Sequence, residues 1–426
     1  MRDLIARGLK DLLYHKKEVS NTAILFSTQI LVLIIGLGIK TIQVRALSPK
    51  EYGLLALFGT ITSVIVLFFH YASFSSLKVI LANNTDKQKE KELVGLGVLI
   101  AGFLGILFST TLFTISFFVD NLLHAEIGDL LMFLAPFCFI LPFQFFISEI
   151  SIGANKLKQL AVFHLFSRIL FIASLLAFFK GDLLNVKLII ILNLLAWLVS
   201  TIVILISYKP SFSKITKNFE KVKEKNKSFG FPYYFGAIVN QSTYKLDELF
   251  ITYFINITQL GFYTLASIIC SPMTFLSRAF VNSIFKKMAL KDRIPIRVFV
   301  YNALWLSFCV LFLYLFSDLI VSTLFGEKYM QVSGYILPLS IAFLFQGMYA
   351  PFTFLVVKSK GKELRNVAYA EAMVNVIGNL LLVPDWFVFG YEVGGYGVLG
   401  AISASILSRF THFVGLWYYY NKMMRS

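Results

Sequence analysis

The sequence predicts an all-α polytopic membrane protein with twelve transmembrane helices, arranged as two six-helix bundles related by a pseudo-two-fold axis along the membrane normal. Three observations lead there. Of 426 residues, 58% are hydrophobic and only 15% charged, against about 45–50% apolar and about 25% charged in a soluble domain. The apolar residues fall into twelve stretches of the ~20 residues that a helix needs to span hydrocarbon. The basic residues collect in every second connection between those stretches. One water-soluble core cannot hide such an apolar excess, because cores stop growing near about 250–300 residues.

Taken in order, residues 1–19 form a cytoplasmic N-terminal segment. With its charges (Arg2, Arg7, Lys10, Lys16, Lys17) and without an apolar run and cleavage site, it is not expected to be a removable signal peptide. The spans are expected at 22–44, 53–77, 93–118, 129–152, 160–179 and 184–207, within an N-lobe of residues 20–208. Residues 209–228 hold seven Lys and two Glu and read as a basic cytoplasmic linker. A C-lobe at 229–420 follows, with spans at 230–255, 261–284, 298–324, 334–357, 366–388 and 397–420, then a cytoplasmic tail at 421–426. Of the 39 Lys and Arg residues, 29 fall on the side of the N-terminus and five (Arg45, Lys50, Lys180, Lys187, Lys328) on the other. This positive-inside bias places both termini in the cytoplasm of a bacterial inner-membrane protein. It also accounts for the formal charge of +16 without a nucleic-acid partner.

The two halves carry a trace of repetition. At an offset of 208, Ala46-Leu-Ser-Pro-Lys-Glu-Tyr-Gly-Leu-Leu-Ala-Leu57 lies over Phe254-Ile-Asn-Ile-Thr-Gln-Leu-Gly-Phe-Tyr-Thr-Leu265. In each, a polar-punctuated span ends, a short turn follows, and Gly53 or Gly261 opens the next helix. An even number of helices per half gives the repeats the same orientation, with an axis along the membrane normal and a substrate path between them.

Ser48-Pro-Lys-Glu-Tyr-Gly-Leu-Leu-Ala-Leu57 resembles the first external turn of polysaccharide exporters of the multidrug/oligosaccharidyl-lipid/polysaccharide superfamily. Leu246-Asp-Glu-Leu-Phe-Ile-Thr-Tyr-Phe254 and Leu260-Gly-Phe-Tyr263 are similar to that family's start of the second half. Val374-Asn-Val-Ile-Gly-Asn-Leu-Leu-Leu-Val-Pro384 and Gly395-Tyr-Gly-Val-Leu-Gly-Ala-Ile-Ser-Ala404 resemble its eleventh and twelfth helices. Each motif is mostly Gly, Leu and Ala; their joint order over nearly the whole chain points to the O-antigen flippase branch. The resemblance implies twelve helices in two lobes and export of undecaprenyl-diphosphate-linked oligosaccharide from cytoplasm to periplasm. Polysaccharide polymerase and chain-length machinery are the partners expected besides membrane lipids.

Ionisable residues at membrane depth cost at least about 2.5–3.5 kcal/mol each, so they usually face a cavity or a partner. Helical spacing sorts them into stripes. Gln29, Gly36 and Lys40 share a face of span one, with Arg45 at its outer end. Gln241, Lys245, Glu248 and Thr252 share a face of span seven, flanked by Asn240, Tyr244 and Asp247. Ser267, Ser271, Arg278 and Asn282 line span eight, and Glu371, Asn375 and Asn379 line span eleven. Lys40, Arg45, Lys245 and Arg278, with Gln29, Gln241 and Asn282, are the candidate cavity residues, because guanidinium and ammonium groups make charge-assisted bonds to phosphate. Asp247, Glu248 and Glu371 are the candidate ion-coupling acids. The competing readings are that Lys245 and Glu248 simply pair and that Arg45 and Arg278 reach to an interface. His164 with Arg168, and Arg409 with His412, read as interface-reaching or helix–helix contacts, and His70 as an interhelical donor.

Neither cofactor nor metal is expected. Cys138, Cys270 and Cys309 lie in apolar spans with no ligand spacing, and no phosphate-binding Gly-Lys-Ser/Thr loop occurs. The external connections are short, 119–128 and 385–396 being the longest, and their acids are scattered. That disfavours the alternative of a membrane glycosyltransferase or polymerase. A cation-coupled drug exporter of the same superfamily is the other alternative; it calls for an acidic lumen rather than this basic one.

Overall fold

The computed structural model describes residues 27–28, 30–69, 72–179, 181, 183–275, 277–278, 293–352, 354–355, 361–388 and 391–425. Helix occurs at every one of the twelve expected spans. The helices are α1 (30–46), α2 (Pro49–Phe69), α3 (Ala72–Ala82), α4 (Lys87–Ser116), α5 (Val119–Leu123), α6 (Gly128–Leu134), α7 (Leu141–Gly153), α8 (Leu157–Phe179), α9 (Val186–Tyr208) and α10 (Ile215–Lys225). After a π-helical turn at Asn226–Gly230 come α11 (Phe231–Phe254), α12 (Ile257–Cys270), α13 (Ile296–Leu324), α14 (Gln331–Gly347), α15 (Gly361–Leu382) and α16 (Gly397–Arg425). Among the described residues, eight helices are long and apolar enough to cross a membrane by length and composition alone.

Departures from the expected pattern have local causes. The second span is described as α2 and α3, which together run further than expected, and His70 lies outside the described residues. The fourth span is interrupted by a 3₁₀ segment at Ala135–Ile140. Pro136 and Pro142 remove backbone donors there and crowd the preceding turn. Between the last two helices of the all-α fold, β1 (Asp385–Val388) and β2 (Tyr391–Gly394) pair antiparallel as a small hairpin, with Asp385 opposite Gly394. The eleventh span therefore stops at Leu382 rather than 388, because Pro384 cannot continue the helix.

Contacts divide the chain into two compact units. The first comprises Met1–Ile42, Phe69–Thr111 and Leu134–Tyr233; the second comprises Gln43–Phe68, Leu112–Phe133 and Tyr234–Ser426. In the first unit α3 packs on α7 and α8 on α9. Lys78 Nζ lies 2.6 Å from Glu149, and the Tyr208 hydroxyl donates to Ser151 at 2.9 Å. Arg168 lies over the Trp197 ring at 6.0 Å and His164 meets the same ring edge-on, the helix–helix role expected of both. The basic linker is more ordered than a connecting loop. Asn218, Val222 and Asn226 recur every four residues and are buried, and Glu92 accepts from Ser213 and Asn218 and pairs with Lys214 at 3.4 Å.

In the second unit α15 and α16 form the closest helix pair, and α14 packs on α12, α13 and α16. The segments aligned at an offset of 208 start their helices alike. The Ser48 N–H donates to Glu51 Oε2 at 2.8 Å while the Glu51 N–H turns back to Ser48 Oγ, a capping box with Pro49 at the first helical position. At the equivalent place Asn256 Oδ1 accepts from the Gln259 N–H at 2.9 Å. The equivalent glycines also meet. A Cβ on Gly53 would sit 2.0 Å from the Ile257 carbonyl oxygen, and one on Gly261 would sit 3.1 Å from the Gly53 nitrogen. Gly53→Ala is therefore expected to cost about 1–3 kcal/mol through forced backbone movement. Gly59→Ala, on the same helix with nothing within 4 Å, should be neutral or slightly stabilising. Thermal unfolding followed by size exclusion in detergent checks the contrast; equal midpoints for the two variants would refute it.

Candidate functional site

The second unit holds a carboxylate removed from water. Asp247, on α11, is 2% exposed, and four neutral donors from three other helices converge on it. Asn375 and Asn379 of α15 donate to Oδ1 at 2.9 and 2.7 Å. Tyr263 of α12 donates to Oδ2 at 2.9 Å, and Ser405 of α16 donates to the same oxygen. Among the described residues no ion pair reaches Asp247. Hydrogen bonds to a charged group contribute about 1.5–3 kcal/mol each, which offsets the penalty of a buried, unpaired carboxylate. The local sequence builds the centre in two steps. Asn375 and Asn379 are four residues apart on one face of α15, and Gly378 lets α16 approach so closely that a Cβ would stand 2.9 Å from that of Ala404.

The donor set consists of oxygens and reversible amides. Asn379 Oδ1 is buried with no partner. A carboxamide that turns over presents oxygen in place of nitrogen, so Asn375 and Asn379 can each offer an oxygen beside the carboxylate. With Ser405 and Tyr263 this would make an all-oxygen cage suited to a hard cation. Among the described residues no group of three or more His, Cys, Asp or Glu side chains is placed to hold a metal.

Glu248, the neighbour of Asp247, faces differently. Lys245 Nζ lies 2.7 Å from its Oε1 and the Thr60 hydroxyl of α2 donates to its Oε2. Lys245 and Glu248 thus form the ion pair that their spacing allowed. Glu371, buried one turn before Asn375 on α15, sits 2.6 Å from His412 Nδ1 of α16. The Tyr349 ring stacks on the imidazole with centroids 4.2 Å apart.

The remaining candidates are dispersed. Arg45 donates from Nη2 to the Thr323 carbonyl at 2.6 Å and from Nε to that of Leu324 at 3.4 Å, where a cation complements the C-terminal end of α13. Beside it Lys328 and Tyr329 donate to the Leu47 carbonyl, and burial pushes the Tyr329 phenol up from its ordinary range. Arg278 is exposed, with Nη2 3.5 Å from Thr274 Oγ1. Lys40 is half-buried on α1, in the first unit. Gln29 and Asn282 lie outside the described residues, as does the side chain of Gln241. Sequence reasoning assigned no role to Tyr263, Ser405, Tyr349 or Thr60, whose hydroxyls carry no periodic signal on apolar helices.

Residues 19–273, more than half of the chain, match the family described as polysaccharide biosynthesis protein. The chain belongs to that family. A sequence search finds no curated protein that matches it. Among solved structures, the polysaccharide biosynthesis chain is similar to the lipid II flippase MurJ in its inward closed conformation. The TM-score is 0.67 at 17% identity, over 93% of this chain and 87% of that one. It is also similar to an inward-facing multidrug resistance MATE family transporter of the MOP superfamily, with a TM-score of 0.65 at 13% identity over 95% and 99% of the two chains. A third likeness is to a MOP superfamily transporter from Pyrococcus furiosus Vc1 described as having a binding pocket of reverse polarity. Here the TM-score is 0.57 at 14% identity, over 95% of each chain. The superfamily expected from the sequence motifs is thereby confirmed, as is a multi-pass membrane protein with this fold.

Proposed function

We propose that this polysaccharide biosynthesis protein is a flippase. It carries undecaprenyl-diphosphate-linked oligosaccharide, an O-antigen or similar repeat unit, from the cytoplasmic to the periplasmic leaflet of a bacterial inner membrane, with both termini cytoplasmic. It moves its substrate and makes or breaks no covalent bond in it. The observation that carries this reading is a set of basic residues in apolar spans, Lys40, Arg45, Lys245 and Arg278, in a chain whose family concerns polysaccharide biosynthesis. The likeness to a lipid II flippase supports a lipid-linked substrate.

In this mechanism the diphosphate enters a cationic cavity, the sugars meet amides such as Gln29, Gln241 and Asn282, and the polyprenyl tail stays in lipid while alternating access exposes the headgroup to either side. Asp247 is the ion-coupling centre, and its fourfold neutral coordination makes it a site where a cation compensates charge. The likeness to a MATE transporter favours drug export as a second reading. A cationic drug, however, requires acids at the cavity, and the flippase reading assigns bases there.

Proteoliposomes containing fluorescent undecaprenyl-diphosphate oligosaccharide test the proposal. The substrate should become accessible to an external glycosidase only when the protein is present, and a cationic dye should not be moved. Because the headgroup carries roughly two negative charges, each favoured outward by ~2.3 kcal/mol per 100 mV, transport should follow an imposed inside-negative potential without any proton or sodium gradient. Transport that ignores the potential and tracks a pH gradient would instead make one of the buried acids an obligatory proton carrier.

A further inference from the structure

We propose that Glu371 and His412 form a proton-binding site, separate from the Asp247 centre, whose occupancy competes with cation binding at Asp247. The coupling to Asp247 rests on the proposed role of that residue; the proton site itself does not. Glu371 Oε2 and His412 Nδ1 lie 2.6 Å apart in the interior of the second unit, with the Tyr349 ring stacked on the imidazole. The Tyr349 hydroxyl donates to the Arg409 carbonyl at 2.9 Å and stands 3.4 Å from Glu371 Oε1. In this arrangement Nδ1–H donates to the carboxylate and fixes the tautomer, leaving Nε2 to take or release one proton without breaking the bond.

Arg409 gives the pair its consequence. It is buried on α16, its guanidinium 4.6 Å from the centre of the Phe343 ring, and its Nη1 has no hydrogen-bond partner. Along α16 it falls between Ser405, which holds Asp247, and His412, which holds Glu371. Along α15, Glu371 and Asn375 are one turn apart and serve the two centres in the opposite order along the chain. Tyr263 of α12 is bonded to Asp247 and lies within electrostatic reach of Arg409 and Glu248, and Cys270 lies within reach of Arg409; Glu363 and Arg365 stand about two turns earlier on α15.

The charge of this interior decides the behaviour. With both carboxyls ionised and His412 neutral, Asp247 and Glu371 would contribute two negative charges and Arg409 one positive, while Lys245 and Glu248 cancel one another. One negative charge remains uncompensated in a low-dielectric surrounding, where a net charge is costly. A single cation removes it: either a proton on His412 or a cation at Asp247. Binding both returns the interior to a net charge, now positive, so each weakens the other, and by linkage they do so reciprocally. Protons and cations would thus exchange for one another through one rigid helix pair, α15 and α16, where a Cβ on Gly415 would sit 2.9 Å from Val367.

The test uses the purified full-length protein in detergent, without transport. With ¹³C-labelled histidine, the His412 resonance, one of five, is assigned by its loss in H412Q. It should titrate in a single step. Its midpoint should move to lower pH in E371Q, which removes the carboxylate that stabilises the imidazolium. Sodium chloride titrated against choline chloride, with thermal unfolding as readout, should show apparent Na⁺ affinity falling about tenfold per pH unit on the acid side of the midpoint. In H412Q the affinity should stay at its high-pH value throughout; H412N, a second neutral donor, replaces H412Q if the latter does not fold. A His412 resonance that does not titrate, or a midpoint unmoved in E371Q, overturns the proton site. A titrating His412 with Na⁺ affinity independent of pH, or the same pH dependence in H412Q, overturns the competition.

Discussion

Asp247→Asn is expected to leave a folded protein in the membrane and to reduce surface polysaccharide to the level of a deletion strain. The substitution is nearly isosteric and removes one charge. Its carboxamide oxygen still accepts from Asn375, Asn379 or Ser405, so the donors gathered around Asp247 are not all orphaned. Asp247→Ala is a poorer experiment, since each buried donor left unsatisfied costs about 1–3 kcal/mol, and four of them point at the carboxylate. The asparagine variant should lose any stabilisation by sodium, which for a specific site reaches about 2.7 kcal/mol at one hundred times the dissociation constant. The measurements are surface-polysaccharide levels of a complemented deletion strain and unfolding midpoints with and without sodium. Normal polysaccharide from Asp247→Asn would make the centre a structural knot. Wild-type sodium stabilisation in that variant would place the cation elsewhere.

Much of this architecture is legible in the sequence because hydropathy and helix starts are local properties. The capping box at Ser48–Glu51 and its counterpart at Asn256–Gln259 sit where the offset of 208 aligns them, and helix occurs at all twelve expected spans. The hairpin escaped because Trp386, Phe387 and Val388 continue the apolar run of α15, and a short apolar run reads equally as a helix end or a strand. Pro384 and Gly390 were the available warning. In the linker, Ile215, Asn218 and Val222 fall at helical spacing among the lysines.

The candidate site was half legible for a related reason. Periodicity marks the polar stripe on each helix, so Asp247 stood out on span seven and Glu371, Asn375 and Asn379 on span eleven. It does not say which stripe faces which. That the stripe of α15 turns to α11, and that Ser405 and Tyr263 complete the shell, follows from helix packing set by residues such as Gly378 and Ala404. His412 and Arg409 look alike as isolated polar residues in one apolar helix. Only the fold separates an imidazole bonded to a carboxylate from a guanidinium with an unpartnered nitrogen.

Lys40→Ala is expected to abolish export as completely as Asp247→Asn, but for a different reason and with a different signature. Arg45 is engaged with the carbonyls that end α13 and Lys245 with Glu248, so two of the four candidate cavity bases have structural work. Replacing either should lower stability as well as transport. Lys40 lies half-buried on α1 with Gly36 one turn away on the same face, and Lys40→Ala removes its charge. The expected result is loss of at least tenfold in headgroup transport, about 1.4 kcal/mol or more, with the unfolding midpoint unchanged. Lys40→Arg should retain part of the activity, since charge is kept while the compact ammonium is exchanged for a planar fork. Arg45→Ala should differ by lowering the unfolding midpoint, because it uncaps α13. Proteoliposome transport and unfolding midpoints of the three variants decide the matter. Full transport by Lys40→Ala would remove that residue from the path, and a lowered midpoint would assign it to packing.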